Sequence, residues 1–547
     1  MFLVNYIIKE TVEKKLDSNS NEYNCKVLDP ACGSGIFLVE TLRRIIEHYQ
    51  KINKITSTKS KKLKRVLGKI AEDNIYGIEQ DVSAINVALF SIYLALLDYQ
   101  EPKDIESFRF PKLIGRNLFK TDFFDLNANF NNILKETNFN FVLGNPPWKR
   151  GSDKNALFLK YVEERREKES KETIEIPLPT ISNKEIAQAF LLRSSDFSSN
   201  QTECALIVTS KTLYNLNAKD FRIYFLHNYF IHKVFELAPV RREIFGRSND
   251  PAIAPAAVLF YKYAHGKTTD KNIVKHIALK PNRFFSLFKI FMLQRSDYKE
   301  VVQARLKKYD WLWKTLVYGS YMDFNLIRRL EEEYKTIGEI IYNKENFLVK
   351  QGLKRKDGIK KINVEELIGW DFIDLNDKNP KRFEPFFIHP QLKKWKNKYV
   401  GYIFRENGKI AKEIFTPPVL LLKETVTTEL RSTSSISLEK KILFTDKVTA
   451  IKGVGNIKKQ KYYDIAGLLY SSLFSYFILI KSSTVGIMIE QQVNDIEKFN
   501  FPYINNANIA KNVKKIGEIS EKLFEEEQRI STCAIKIINH AASLNSK

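Results

Sequence analysis

Apolar and polar positions follow two alternating patterns in the first part of the chain. Segments 2–16 and 36–48 repeat apolar side chains at the 3.6-residue spacing of an amphipathic helix. Segments 26–28, 74–79 and 141–143 are short apolar runs, which are typical of buried strands. Helices that alternate with short buried strands predict an α/β domain built on a mostly parallel sheet.

This alternation continues to about residue 263. A helix over 82–97 is apolar almost all round, so we expect it to be buried. Two charged segments lack the pattern: 51–69, rich in lysine, is predicted to be a solvated face, and 149–180 is predicted to be a surface loop. The remaining predicted elements are a helix over 184–197 and strands over 205–209, 233–237 and 256–263.

The composition changes after about residue 265. Residues 266–335 contain two tryptophans and one charged helical segment, and we predict that they form a connector. Residues 336–507 have short, irregular strand-like runs between turns and an apolar helix over 465–480, which predicts a second domain of mixed α+β character. Residues 508–547 predict a long C-terminal helix with charged partners four residues apart. The first domain is therefore predicted to span residues 1–265.

A glycine-containing turn follows the first predicted strand, where residues 29–35 read DPACGSG. Gly33 and Gly35 allow a ligand to approach the backbone closely, and the free N–H groups at the start of the next helix would face that ligand. The turn is not GxGxxG, and no Lys-Ser or Lys-Thr pair follows it. A phosphate-binding P-loop is therefore not indicated.

Acidic residues end two later strands. Glu79 follows the strand after the glycine-containing turn, where a carboxylate is placed to bind the two ribose hydroxyls of a nucleoside cofactor. Asp122 follows the apolar run that begins at Leu118, and its carboxylate could accept a hydrogen bond from an exocyclic amine. An ordinary helix cap is an equally good interpretation of Asp122.

The sequence around which the chain is organised is Asn145-Pro146-Pro147-Trp148, directly after a buried strand. Two consecutive prolines stiffen the loop and donate no backbone hydrogen bond. An amide, a proline carbonyl and an indole thus come together at the carboxyl end of a strand, where open α/β sheets bind ligands. The group contains no general base and no metal ligand, and it suits a planar, amine-bearing substrate such as a nucleobase. Asn-Pro-Pro also occurs in plain turns.

The charge balance favours a polyanionic partner. The 547 residues contain 88 Lys plus Arg against 64 Asp plus Glu, a formal net charge of +24, which fits a nucleic-acid-binding protein. A lysine-rich, AT-rich genome would raise the lysine content as well, and the frequent Asn, Ile and Tyr agree with that alternative. The charge therefore supports the nucleobase interpretation without establishing it.

Cysteine, histidine and hydropathy patterns narrow the class of protein further. The four cysteines form no CxxC pair and the seven histidines no HxxxH pair, so we expect neither a metal site nor a disulfide framework. The most apolar later stretch, 467–480, is too short to span a bilayer. No secretory signal pattern opens the chain. We expect a soluble, cytoplasmic protein that binds no membrane.

Two motifs together resemble the amino-group DNA methyltransferases, in particular N6-adenine enzymes of restriction–modification type with gamma motif order. Residues 28–35, LDPACGSG, resemble the S-adenosylmethionine motif, and residues 145–148, NPPW, resemble the catalytic motif. The resemblance covers residues 1 to about 265 well and the remainder more loosely. It implies a Rossmann-like, S-adenosylmethionine-dependent methyltransferase domain followed by an α+β target-recognition domain that binds double-stranded DNA.

The resemblance also implies roles for individual residues. Asn145 and the Pro146 carbonyl would accept hydrogen bonds from the N6 amine of a flipped-out adenine, and Pro147 belongs to the same motif. Trp148 would stack on that base, where the family more often has Tyr or Phe, and Phe245 would cover its other face. The cofactor residues would be Asp29, Ala31, Gly33 and Gly35 for the amino-acid part of S-adenosylmethionine, Glu79 for its ribose and Asp122 for its adenine.

Two departures from the family pattern set further expectations. The family has a Thr-Pro turn upstream of the first strand, and here the sequence opens at Met1 inside that segment. The methionine side of the pocket is then incomplete or is supplied by another chain. Many such enzymes carry a fused nuclease, for which we find no Asp…Glu-x-Lys pattern in a strand setting. We therefore expect any DNA cleavage to come from a separate nuclease.

Two other functions remain open at this level. A methyltransferase for an RNA base or a protein amide would share the Asn-Pro-Pro core, although such enzymes are usually compact and lack a large basic second domain. A non-catalytic, partner-dependent DNA-binding subunit would explain the missing upstream segment.

Overall fold

A nine-stranded sheet forms the centre of the first of two units, Met1–Val317 and Tyr318–Lys547, in the computed structural model of the chain. Up to residue 344 the structure describes all residues except 1, 19–21, 56–60, 106, 152–155, 173–176, 246–254 and 289. Beyond that it describes residues 347–352, 354–355, 371–373, 388–389, 402–403, 413–424, 434–437, 442–444, 447–482 and 493–500, and single residues between 511 and 529.

The first unit alternates strands and helices along the chain. Its strands are β1 Val27–Asp29, β2 Ile75–Glu79, β3 Leu118–Lys120, β4 Phe141–Gly144, β5 Glu203–Thr209, β6 Tyr229–Glu236, β7 Ala256–Tyr263, β8 Ile273–Ala278 and β9 Tyr298–Val302. Its helices are α1 Phe2–Ile8, α2 Lys14–Ser18, α3 Ile36–Ile52, α4 Lys61–Asn74, α5 Val82–Leu97, α6 Pro102–Ile105, α7 Phe130–Lys135, α8 Leu157–Glu172, α9 Ile186–Arg193, α10 Lys211–Tyr214, α11 Lys219–Asn228, α12 Arg241–Phe245, α13 Arg283–Phe288, α14 Gln303–Lys308 and α15 Leu312–Tyr318.

The strand order in the sheet is β3-β2-β1-β4-β5-β7-β6-β8-β9. Strands β1 to β5 all pair in parallel, β7 runs antiparallel to both β5 and β6, and β8 is parallel to β6. Strands β2 and β3 therefore lie on one side of β1 in the sheet, and β4 and β5 lie on its other side. The carboxyl ends of β1 and β4 flank this topological switch point, where open α/β sheets bind their ligands. The predicted α/β domain with a parallel-rich sheet is confirmed.

The core of this unit is formed by helices that cover the sheet with their apolar faces. Buried side chains of α1, α3, α4 and α5 pack with those of β1, β2, β4 and β5. The prediction that α5 is buried all round is wrong, because only one face of it meets the sheet and α3. Val87, Phe90 and Leu94 on the outer face are 49%, 61% and 46% exposed.

A charged segment that the sequence predicts as a loop is partly helical. Helix α8 covers residues 157–172 of the predicted loop 149–180 because Phe158, Tyr161 and Val162 are buried on one face. On the same face the Arg165 guanidinium donates hydrogen bonds to the Leu192 carbonyl of α9 at 2.9 Å and to the hydroxyl of Ser195, which follows α9. The lysine-rich segment 51–69 is likewise helical from Lys61 onward.

The sheet continues past the predicted domain boundary at residue 265. Strand β8 pairs in parallel with β6, and β9 pairs with β8, so residues 266–317 belong to the first unit rather than to a separate connector. The pairing was hidden because β8 and the edge strand β9 are short and contain polar residues, so that their sequence pattern is weak.

The second unit contains helices and small sheets. A four-stranded sheet has the order β10-β18-β15-β16. The strands are β10 Phe347–Gln351, β11 Lys354–Arg355, β12 Asp371–Ile373, β13 Ile388–His389, β14 Tyr402–Ile403, β15 Val419–Lys423, β16 Ser434–Ser437, β17 Ile442–Phe444 and β18 Val448–Gly453. The described strand pairs are antiparallel except for the parallel pair of β12 and β17. The helices are α16 Tyr321–Glu333, α17 Ile337–Lys344, α18 Lys459–Tyr470, α19 Ser472–Lys481 and α20 Val493–Glu497. The predicted helix 508–547 lies outside the described residues, apart from single positions.

The apolar helix predicted over 465–480 is a bent pair. Helices α18 and α19 meet at Ser471, whose hydroxyl accepts a hydrogen bond from the Phe474 N–H and so starts a new helix. Within the described residues, no single helix is both long enough and apolar enough to cross a bilayer. Helices α18 and α19 have sufficient combined length and apolar content, but they are bent by 61° relative to each other.

Candidate active site

The first two predicted motifs meet at the topological switch point. Strand β1 ends at Asp29 and strand β4 ends at Gly144, and the two strands are paired neighbours. A Cβ atom on Gly144 would lie 2.7 Å from Oδ1 of Asp29, closer than side chains tolerate. Glycine at this position therefore allows the loop that begins with Asn145 to leave the sheet directly beside the Asp29 carboxylate.

The turn after β1 has the backbone conformation that its glycines predict. Gly35 has φ +83° and precedes α3, and a Cβ there would lie 3.0 Å from the Cβ of Ala88 on α5. Gly33 has φ +52°, and nothing lies within 4 Å of the position of its Cβ. Close helix packing thus requires Gly35, whereas Gly33 borders open space that a ligand can occupy.

Glu79 links the first turn to the end of β2. Its Oε2 accepts a hydrogen bond from the Gly33 N–H at 3.0 Å, and its Oε1 accepts one from the Asp81 N–H at 2.9 Å. Asp81 in turn caps α5 by accepting from the Ala84 N–H at 2.8 Å. The carboxylate is half-buried, so it is held in place while part of it still faces the solvent.

Asp29 is the most deeply buried of the predicted cofactor residues, with 1% of its surface exposed. Its Oδ1 accepts a hydrogen bond from the Ala31 N–H at 3.1 Å. Burial raises the pKa of Asp29 to about 7, and the nearby Glu79 carboxylate adds to the rise, while the Ala31 hydrogen bond opposes it. A positively charged ligand group would offset the cost of ionising this carboxyl.

Asp122 organises a turn and does not cap a helix. Its Oδ1 accepts a hydrogen bond from the Phe124 N–H at 2.8 Å within a turn after β3. The next carbonyl, that of Phe123, accepts from Nε of the buried Arg193 at 2.9 Å. The rings of Phe123 and Phe190 stack with their centroids 5.2 Å apart. The Asp122 carboxylate therefore stands at the edge of a fixed aromatic wall.

These elements surround a cavity of about 520 Å³ within the first unit, a size that suits a small-molecule ligand. Of the predicted site residues, Ala31, Glu79, Asp122, Asn145 and Pro147 line it. Its other lining residues are Pro30, Ile78, Gln80, Thr121, Phe123, Phe124, Lys149, Arg150, Gly151, Ala156, Phe158, Ile186 and Phe190.

The residues of the Asn-Pro-Pro-Trp loop differ in their exposure and contacts. Pro146 is buried, and Asn145 next to it is exposed at the mouth of the cavity. Trp148 is half-buried against the core, and its indole Nε1 donates a hydrogen bond to the Ile207 carbonyl at 3.1 Å. This bond ties the Asn-Pro-Pro-Trp loop to β5. For Phe245, which ends α12, the side chain lies outside the described residues.

Sequence reasoning missed a strap that follows the Asn-Pro-Pro-Trp loop. The Gly151 N–H donates to the Lys184 carbonyl at 3.0 Å, and the Ile186 N–H donates to the Lys149 carbonyl at 3.3 Å. Between these bonds, Arg150 Nε lies 3.0 Å from Oε1 of Glu185. The strap joins the loop after β4 to the start of α9, which is one wall of the cavity. Its partners are 35 residues apart in sequence, and neither segment has a distinctive pattern.

The parallel-rich sheet and the paired turns at its switch point define a Rossmann-like α/β domain. Residues 73–245 match the family described as Eco57I restriction-modification methylase. A protein of Methanocaldococcus jannaschii, named as a candidate type II restriction enzyme and methyltransferase, is 30% identical over 93 residues. That match covers 17% of this chain and 8% of the archaeal protein.

Solved structures show that the fold is shared more widely. The Type IIL restriction-modification enzyme MmeI, solved with DNA, is similar with a TM-score of 0.55 and 13% identity, over 94% of this chain and 69% of that one. A nuclease-deletion mutant of the Type ISP enzyme LlaGI, solved with a DNA substrate mimic, is similar with a TM-score of 0.54 and 13% identity. That match covers 95% of this chain and 46% of LlaGI.

Proposed function

We propose that this chain is a site-specific DNA methyltransferase that transfers a methyl group from S-adenosylmethionine to N6 of a flipped-out adenine, in a restriction–modification or phage-defence system. One observation carries the proposal. The Asn145 side chain stands at the mouth of a cavity that Glu79 and Asp122 also line, so an amine acceptor and a nucleoside-binding site share one opening.

The residues that are present suit S-adenosylmethionine. The open space beside Gly33 and the half-buried Glu79 carboxylate fit a ribose, and the aromatic wall at Phe123 fits an adenine ring with Asp122 at its amine edge. The buried Asp29 carboxyl fits a cationic amino-acid group. When bound, this cofactor supplies an electrophilic methyl group on a sulfonium. The chain's own residues bind it, orient it and exclude water from it.

The chemistry that the loop provides is polarisation of an amine. An exocyclic amine on a base is poorly nucleophilic because its lone pair is delocalised into the ring. The Asn145 amide oxygen and the Pro146 carbonyl would accept hydrogen bonds from the two N–H groups of this amine and so concentrate lone-pair density on its nitrogen. The proline-rich loop holds these acceptors rigid, and the bond from Trp148 to Ile207 keeps the loop against β5. Positioning and polarisation would therefore carry the rate enhancement, with no covalent intermediate.

The test expresses the gene alone in a host without DNA methylation and reads the host DNA by long-read sequencing for modified bases. We expect N6-methyladenine within one sequence motif for the wild type and none for Asn145→Ala. Asn132→Ala is the matched control, because Asn132 is an exposed asparagine on α7 outside the cavity. Modified adenine from the Asn145→Ala strain would contradict the assigned role of the loop.

Assays of the same protein distinguish this function from the two alternatives, a different amine substrate and a partner-dependent subunit. Methyl label from S-adenosylmethionine that appears on RNA or on protein but not on DNA would favour a different amine substrate. Cofactor binding that is absent in the purified chain and restored by the product of a neighbouring gene would favour a partner-dependent subunit. The solved complexes with DNA concern MmeI and LlaGI themselves, and they motivate double-stranded DNA as the first substrate to test.

A further inference from the structure

A buried carboxylate at the end of β6 has no role in the site described so far. Glu236 is fully buried, and three groups donate hydrogen bonds to it. Its Oε1 accepts from the Ser210 hydroxyl at 2.6 Å and from the Ala238 N–H at 2.8 Å, and its Oε2 accepts from the Tyr214 hydroxyl. These donors come from the segment after β5 and from the chain that leaves β6.

The three bonds lie at the base of the excursion between β6 and β7. The excursion starts at Leu237, whose N–H donates to the Ala256 carbonyl at 2.9 Å. It ends at Pro255, whose carbonyl accepts from the Ser210 N–H at 2.8 Å. Ser210 therefore bonds to one end of the excursion through its backbone and to Glu236, beside the other end, through its side chain. Glu236 thus fixes both ends together.

This base lies at the same edge of the sheet as the Asn-Pro-Pro-Trp loop. Strands β5 and β6 both run antiparallel to β7 and β5 is parallel to β4, so β4, β5 and β6 all end at one edge. The Trp148 indole reaches the Ile207 carbonyl, three residues before Ser210 on β5. A continuous chain of hydrogen bonds and backbone thus runs from the Asn-Pro-Pro-Trp loop through Ser210 to Glu236.

A stable fold alone does not require a carboxylate here. An ionisable group without solvent is costly to bury, and burial raises the pKa of Glu236 against the effect of its donors. An apolar side chain would avoid that cost but would leave the Ala238 N–H and two hydroxyls without their acceptor. The acceptor oxygens of Glu236 select one arrangement of these three donors.

We propose that Glu236 is a positioning residue that fixes the segment from Leu237 through α12 at the edge of the sheet where Asn145 presents its acceptors, and that methyl transfer at this edge depends on the order of that segment. The proposal rests on the proposed function for the methyl-transfer reaction. Half-buried Arg241 and Ile244 lie on α12, and Ile244 packs against the core cluster of the sheet. The anchored segment therefore has a fixed position on the domain.

The test keeps the shape and replaces one of the two acceptor oxygens with an NH2 donor, with Glu236→Gln in the full chain. Glu203→Gln is the matched control, because Glu203 is a largely buried acid whose pKa burial also raises, and it begins β5 at the opposite edge of the sheet. Three quantities are measured on both variants and the wild type. They are hydrogen exchange of peptides that contain Ser210 and Ala238, the dissociation constant of S-adenosylmethionine, and kcat for methyl transfer to DNA.

For Glu236→Gln we expect exchange at Ser210 and Ala238 to accelerate about tenfold or more, as for a lost hydrogen bond to a charged acceptor. We expect kcat to fall by a similar factor while the cofactor dissociation constant changes less than about twofold, since Glu236 does not line the cavity. Glu203→Gln should leave exchange at these two sites and kcat unchanged. If Glu236→Gln does not fold, Tyr214→Phe removes one donor and should give a smaller effect of the same kind.

Unchanged exchange at Ser210 and Ala238 would overturn the proposal. So would a parallel loss of cofactor affinity and kcat, because that pattern indicates general damage to the domain. If the wild type transfers no methyl group to DNA, the proposed function fails, and the exchange comparison between Glu236→Gln and Glu203→Gln still decides whether Glu236 anchors the segment.

Discussion

The backbone N–H of Gly33 donates a hydrogen bond to the carboxylate of Glu79 at 3.0 Å. The bond joins the turn after β1 to the end of β2, two loops that are separated by 46 residues in sequence. The protein's own backbone thus orients the Glu79 carboxylate, and in the proposed site a ribose would meet an acceptor that is already in place.

Glu79→Ala should weaken the binding of S-adenosylmethionine far more than it weakens the fold. The change removes the acceptor for the Gly33 and Asp81 N–H groups and, in the proposed site, the acceptor for the ribose hydroxyls. We expect the dissociation constant to rise about tenfold or more, which corresponds to roughly 1.5–3 kcal/mol for a charged hydrogen bond. Calorimetric titration measures it, with Glu47→Ala on the exposed side of α3 as control. Equal affinity for wild type and Glu79→Ala would remove Glu79 from the cofactor site.

The stability of the first unit should depend on the ionisation of Asp29. Its pKa is raised by burial to about 7 from an ordinary value of 3.8, so the folded state holds this proton more tightly than the unfolded state does. This contribution to stability is complete below pH 3.8 and is lost as the pH rises through 7. Between pH 5 and pH 8 the loss amounts to about 2–3 kcal/mol.

Asn has nearly the same shape as Asp and does not titrate. In urea denaturation, the pH 5 to pH 8 change in the free energy of unfolding should therefore be smaller for Asp29→Asn than for the wild type by that amount. Asp17→Asn, at an exposed acid of α2, should retain the wild-type change. An identical pH dependence in wild type and Asp29→Asn would show that Asp29 ionises normally in the folded protein.

A pair of glycine substitutions should change stability in opposite directions. A Cβ on Gly77 of β2 would lie 2.8 Å from Cδ1 of the buried Leu38 and 3.0 Å from Sγ of the buried Cys32. Gly77→Ala should therefore destabilise the protein by about 1–3 kcal/mol. Gly68 lies in α4 with its nearest foreign atom at 3.8 Å, so Gly68→Ala should stabilise it by about 0.5–1 kcal/mol. Midpoints of denaturant unfolding that shift in the same direction would contradict this packing.

The ion pair between Arg150 and Glu185 should influence cofactor affinity through the strap. The Glu185 side chain is 10% exposed and that of Arg150 is 57% exposed, so solvent weakens the pair. We expect Arg150→Met and Glu185→Gln each to raise the cofactor dissociation constant a few-fold. The double variant should be less than additive, with a coupling of about 0.5–1 kcal/mol that shrinks at high salt. Additive effects would mean that the two side chains act separately on the cavity.

Most of the site could be predicted because its residues are local in sequence. The glycines of residues 29–35, the acids that end β2 and β3, and the Asn-Pro-Pro-Trp loop each follow an apolar strand directly. The carboxyl ends of parallel strands lie at one edge, so the order of elements along the chain is enough to bring these residues together. The order of strands and turns along the chain is therefore sufficient to predict that these residues lie near one another.

Features that depend on distant partners could not be predicted in this way. Helix α8 was taken for a loop because its charged residues dominate the pattern, although Phe158, Tyr161 and Val162 are buried by α9 and by the turn after β3. The apolar outer face of α5 was taken for a buried one, because composition does not reveal how many sides of a helix meet the sheet.

The sequence by itself determined the class of domain, the positions of its parallel strands and the chemistry at their ends, since short apolar runs and glycine or proline turns act through the local backbone. Only the tertiary structure decided which polar groups meet. The bonds from Gly33 to Glu79, from Arg150 to Glu185 and from Ser210 to Glu236 join segments 26 to 46 residues apart. Such contacts depend on how packed strands and helices align in space, which no local pattern encodes.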